Sequence, residues 1–122
     1  MSSDRESVRR QLEVVIGPFP AEVRDLHLDS LIDGMPTAWL RSDIPQGLRS
    51  AVTLGVLTAL GIETELAAHV RRALNQSGLS RLEVAEVLRH AAIYAGVPRA
   101  NAALRIAKQV FDELDAGQTP SR

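Results

Sequence analysis

Apolar residues along the chain recur mostly at intervals of three and four, the spacing that places them on one face of a helix. Residues 5–16 carry Val8, Leu12, Val15 and Ile16 in this way, and Gly17-Pro18-Phe19-Pro20 interrupts the pattern. A second helix is predicted over 21–33, with Val23, Leu26, Leu28, Leu31 and Ile32 apolar and Gly34-Met35-Pro36 as its stop. Residues 37–45 then read as a connector carrying the single tryptophan, Trp39. The segment 46–60 is the most apolar. Its Leu48, Val52, Leu54, Val56, Leu57 and Leu60 point to several sides, so this helix is expected to be buried all round.

Gly61 is placed to cap that helix, and an amphipathic helix follows over 63–76, closed by Gly78. Ser80 and Glu83 have the spacing of a capping box that opens a helix over 81–95, ended by Gly96. Pro98 suits the first turn of a last helix over 98–115, where Ala100, Leu104, Ala107, Phe111 and Leu114 share a face. Gly117 to Arg122 is expected to be a disordered tail. No segment alternates in the manner of a strand, and there is no internal repeat. The pattern therefore predicts an all-α, compact helical domain of about five to six helices. It forms a single domain over 1–122 with its core in 39–115. An all-round apolar helix in so small a domain also points to burial between subunits, with the 46–60 and 98–115 helices as the contact.

Composition narrows the chemistry. Lys plus Arg is 14 and Asp plus Glu is 15, a net charge of −1, and aromatic residues are 3% of the chain. Neither a basic footprint nor a stacking platform for nucleic acid is present. The chain has no cysteine, which removes disulfides, thiol redox chemistry, thiolate zinc sites and cysteine nucleophiles together. The polar start Met1-Ser2-Ser3-Asp4 has no apolar h-region, and the longest apolar stretch is too short to span a bilayer. A cytoplasmic protein with no membrane partner is expected.

Three histidines remain as candidates for acid–base work. Glu65 and His69 are four apart on one helix face, and Arg72 lies three further on. A carboxylate beside an imidazole fixes its tautomer and raises its pKa, and a nearby guanidinium can hold a carboxylate with its planar fork. The same spacing also serves as an ordinary solvated helix pair. Arg71 points about 200° away from His69, which suits packing or an intersubunit pair. His90 follows Glu86 by one turn, as in a surface ion pair, or it lines a pocket. Tyr94 precedes Gly96 and either offers its hydroxyl to a ligand or is buried against backbone. Trp39 either walls a pocket or caps a core edge. His27 reads as surface. No third ligand near Glu65 and His69 completes a metal site, so no metal is expected.

Beyond these local patterns, an ordered set of short runs carries a resemblance. Arg49-Ser50-Ala51-Val52-Thr53-Leu54 and Leu57-Thr58-Ala59-Leu60-Gly61 are followed by Glu65-Leu66, His69-Val70-Arg71, Ala73-Leu74 and Gly78. Glu83, Val87-Leu88, Ile93-Tyr94-Ala95-Gly96-Val97-Pro98, Asn101-Ala102 and Leu104-Arg105 come next. In order and separation, over about 39–115, these resemble the carboxymuconolactone decarboxylase family of the alkylhydroperoxidase D-like superfamily. The resemblance implies an all-helical homo-oligomer, a trimer or a hexamer. One branch of the family reduces peroxides through a cysteine pair. Those cysteines would fall at Ile62 and Glu65, so the chain resembles the cysteine-free branch and is not expected to be a peroxidase. The other branch decarboxylates a lactone dicarboxylate without a cofactor. Its Trp-Gly-Glu-x-Trp run corresponds here to Met35-Pro36-Thr37-Ala38-Trp39, keeping the second tryptophan but replacing the glutamate by Thr37.

The reading that follows is a cofactor-free lyase, a decarboxylase or lactone isomerase, acting on a small carboxylated molecule such as a 4-carboxymuconolactone-like lactone or a biosynthetic intermediate. His69 and Glu65 are the expected catalytic pair, and Trp39, Arg72, Tyr94 and His90 the expected substrate contacts. Two other readings stay open. One is a non-catalytic helical binding or assembly protein on the same scaffold, and the other is a cysteine-free oxidoreductase or cyclase in natural-product biosynthesis.

Overall fold

The computed structural model describes residues 6, 7, 9, 10 and 20–118. Five helices follow in order: α1 (Ala21–Trp39), α2 (Gln46–Leu60), α3 (Glu63–Asn75), α4 (Arg81–Ala95) and α5 (Val97–Gln118). There is no strand among the described residues, as the spacing predicts. Residues 6, 7, 9 and 10 are helical, and the rest of the helix expected over 5–16 lies outside the described residues, as do 119–122. The chain divides into two compact units, residues 1–43 and 44–122.

In the first unit, α1 runs through Gly34-Met35-Pro36 instead of stopping there. Proline removes one backbone donor and glycine adds freedom, but both are biases that flanking hydrogen-bonded turns can override. Gly34 is not among the glycines at positive φ, so the backbone never leaves the right-handed region there. Trp39 is accordingly the last residue of a helix and does not sit on a connector. Leu28 and Ile32 are buried, whereas Leu26 and Val23 are exposed. The Arg9 guanidinium bridges Asp29 (2.6 Å) and Asp25 (2.9 Å), tying the preceding segment to α1.

The second unit holds a four-helix core. Leu54 of α2, Leu66, Val70 and Ala73 of α3, Val84 and Leu88 of α4, and Ala103, Ala107 and Val110 of α5 form one buried cluster. Alanines on α5 let its backbone approach α3 and α4 closely. Each buried leucine contributes about 1.5–3 kcal/mol through removal from water. The buried hydroxyls are both hydrogen-bonded. Thr58 Oγ1 donates to the Leu54 carbonyl at 2.7 Å, and Ser50 Oγ donates to Ser77 Oγ at 2.6 Å, joining α2 to the loop after α3.

The helix ends follow the sequence signals closely. Gly61 adopts φ 71°, and its N–H reaches the Leu57 and Thr58 carbonyls. Ser80 and Glu83 form the reciprocal capping box, with the Glu83 N–H donating to Ser80 Oγ at 3.0 Å and the Ser80 N–H donating to Glu83 Oε1 at 2.9 Å. The last helix is longer than the 98–115 expected and takes in Gly117, and the rest of the expected tail, 119–122, lies outside the described residues. Arg71 of α3 pairs with Glu113 of α5 inside the chain, and Arg81 of α4 grips Asp115 with two nitrogens at 2.7 and 3.2 Å. Arg81 also lies over the Phe111 ring at 5.1 Å.

The expectation that α2 is buried all round is corrected. Leu48, Val52, Val56 and Leu60 are 55, 65, 49 and 62% exposed. Only one side of α2 meets α3 and α4, and an apolar stripe at four-residue spacing is left on the other.

Candidate active site

On α3, Glu65, His69 and Arg72 follow one another at intervals of four and three residues, hence on one side of the helix. The buried face of that helix is Leu66, Val70 and Ala73, so the three polar residues border the core instead of facing away from it. His69 and Arg72 are half-buried as a result. The His69 imidazole is held below its ordinary pKa. Burial is the largest cause, the Glu65 carboxylate opposes it, and the Arg72 guanidinium adds to it. The sequence argument that Glu65 raises this pKa is right in direction but loses to desolvation. The ring is therefore mostly neutral at pH 7, and any proton it carries is held weakly and transferred readily.

A second group lies elsewhere. The rings of His90 and Tyr94 on α4 meet at 5.4 Å and 48°. They stand over a groove of about 640 Å³ between α2 and α4, whose walls are mainly Ala51, Gly55, Ala59 and Ala91. The small side chains of these four residues create the space. Glu86 lines the same groove, but its carboxylate leans towards Arg89 (3.7 Å) and not towards His90. Tyr94 is 81% exposed, which excludes the reading that it is buried against backbone. No lysine or arginine lines the groove, so it offers hydrogen bonds and apolar surface but no counter-charge for a carboxylate.

The structure thus brings Glu65, His69 and Arg72 together, and separately His90 with Tyr94. None of the first three lines the α2–α4 groove. Trp39 is half-buried at the end of α1, in the other compact unit. His27 is exposed, as expected of a surface residue. Among the described residues no three His, Asp or Glu side chains are placed to hold a metal ion. No helix among them is long and apolar enough to cross a membrane. Sequence reasoning overlooked Arg99, which lines a smaller cavity beside Gly61. The signal was a cation directly after Pro98 in a helix's first turn.

Four packed helices carrying half-buried acid–base residues and no thiol define a class of scaffold, and comparison with known proteins gives the family. Residues 31–109 match the carboxymuconolactone decarboxylase family, and the chain belongs to it. A 4-carboxymuconolactone decarboxylase from Acinetobacter baylyi is 43% identical over 76 residues, which is 62% of this chain and 56% of that protein. A nitrosuccinic acid decarboxylase from Metarhizium robertsii is 35% identical over 83 residues, 67% of this chain and 57% of that protein. The chain thus spans little more than half the length of these relatives.

Proposed function

We propose that the protein is a cofactor-independent decarboxylase of a small carboxylated molecule, working as a homo-oligomer, a trimer or hexamer, in the cytoplasm. The observation that carries this reading is the half-buried His69 with a carboxylate one turn before it and a guanidinium one turn after it. Breaking the bond to a carboxylate releases CO2 and leaves the electron pair on carbon, spread into an adjacent carbonyl or nitro group. That carbanion must then take a proton. Arg72 supplies a fork for a carboxylate of the substrate, and the His69 imidazolium delivers the proton to carbon and is re-protonated from solvent. Glu65 orients the ring and favours its charged form. The names of the two relatives point to the same substrate class, acids whose carboxylate neighbours an electron-withdrawing group.

The test measures CO2 release from 4-carboxymuconolactone and from 2-nitrosuccinate. His69→Ala should lower turnover about a hundred- to ten-thousand-fold while the helical content is unchanged. A second reading is favoured by the open volume between α2 and α4, with His90 as the acid and Tyr94 beside it. Full activity in His69→Ala together with loss in His90→Ala would move the chemistry to that groove. Loss of the fold in His69→Ala, with full activity in Glu65→Gln and Arg72→Gln, would make the α3 trio structural.

A further inference from the structure

A cavity of about 230 Å³ lies where the end of α2, the start of α3 and the start of α5 meet. Its floor and walls are apolar, chiefly Leu57, Ile62, Leu66 and Ala102. Thr58 also lines it, but its hydroxyl already donates to the Leu54 carbonyl at 2.7 Å. Two charged side chains complete the lining, Arg99 and Glu63. Among the described residues neither is engaged in an ion pair, with the other or with a third group. The Arg99 guanidinium instead fills the space where Gly61 lacks a side chain, so the left-handed glycine that caps α2 also seats the arginine. Arg99 stands in the first turn of α5, where the helix dipole adds to the positive potential. Glu63 stands in the first turn of α3.

The cavity therefore joins one exposed cation and one exposed anion to an apolar lining. Its volume is below the roughly 300–1,000 Å³ typical of sites for larger organic ligands. A dianion would face Glu63, and a hydrocarbon would make use of neither charge. We propose that this cavity binds an α-amino acid with a branched apolar side chain. Its carboxylate pairs with Arg99, its ammonium with Glu63, and its side chain rests among Leu57, Ile62 and Leu66. The site is separate from the Glu65, His69 and Arg72 trio, none of which lines it, and it does not depend on the decarboxylase reading.

The test titrates the full chain with L-leucine, 4-methylpentanoate and 3-methylbutylamine, followed by calorimetry and by the amide resonances of Gly61, Ala102 and Ala103. L-leucine should saturate the site, and each single-charge analogue should bind at least about tenfold more weakly, since a hydrogen bond to a charged group is lost. Arg99→Gln should weaken leucine by a similar factor. Glu63→Gln should weaken leucine but leave 4-methylpentanoate equal or tighter. His69→Ala should bind leucine as the wild type does, which separates this site from the chemistry on α3. Equal binding of leucine and 4-methylpentanoate would overturn the zwitterion assignment. Absence of saturation by leucine, or resonance shifts confined to the α2–α4 groove, would overturn the site.

Discussion

His69 is pulled in opposite directions by its neighbours, and the balance has consequences that can be measured. Burial lowers its pKa from 6.5, Glu65 raises it and Arg72 lowers it. If the imidazolium is the proton donor, only the protonated fraction is competent, so turnover should rise as pH falls from 8 and level off below the folded-state pKa. Glu65→Gln removes a raising influence and should move that limb to lower pH. Arg72→Gln removes a lowering one and should move it to higher pH. An NMR titration of the His69 ring should follow the same order, and shifts in the reverse order would refute the electrostatic account. Stability has its own sign. The unfolded chain takes up a proton near 6.5, whereas folded His69 resists it until lower pH. The stability gained from neutral burial is thus fully present above 6.5 and is lost as pH falls through the folded value. Urea midpoints should drop between pH 7.5 and 5.5, and His69→Gln should flatten that slope. The trio was legible from its spacing alone. The net direction of the pKa shift was not, because it depends on how α3 is packed.

At the scale of elements, signals that fix a backbone conformation proved readable, and those that merely bias one did not. Gly61, Gly78 and Gly96 all adopt positive φ and sit where helices end. Gly34 and Pro36 carry similar residue types, yet α1 continues through them, since nothing there forces the chain into the left-handed region. The Ser80–Glu83 box is the clearest case, two hydrogen bonds foreseen from two residues at the right spacing. Ser80→Ala should cost about 1 kcal/mol, lowering the melting temperature by several degrees without altering the groove or the α3 trio. The expected size is larger in the core. Leu54→Ala, at a wholly buried position on α2, should cost about 2–5 kcal/mol, readable as a shift in the urea midpoint at constant slope. The surface pairs contribute less. Arg71 with Glu113 is a half-exposed bridge, worth at most about 1 kcal/mol, although it was expected to serve packing or a second subunit and does join α3 to α5.

Over the whole molecule, the apolar pattern of α2 exceeds what the chain itself uses. Leu54 is fully buried, but Leu48, Val52, Val56 and Leu60 form an exposed stripe, and no charged residue interrupts the helix between Ser50 and Leu60. Ile93 and Tyr94 on α4 and Val97 on α5 are exposed as well. Periodicity could show that α2 has too many apolar positions, but it could not separate burial within the chain from burial against a copy. By contrast α5, expected to share the subunit contact, commits its apolar face internally through Ala103, Ala107 and Val110. The proposed oligomer should therefore be held by α2, with α5 a minor participant. Light scattering at micromolar concentration should give a multiple of 13.2 kDa. Val56→Asp should reduce that mass to the monomer while far-ultraviolet circular dichroism stays the same, since the position is half-exposed in the single chain and a charge there meets water once the copies part. Leu54→Asp should instead unfold the chain, because it places an unpaired charge in a dry site. A Val56→Asp protein that keeps the wild-type mass would place the contact elsewhere, and a wild type of 13.2 kDa would mean that the stripe is left to water or to another partner.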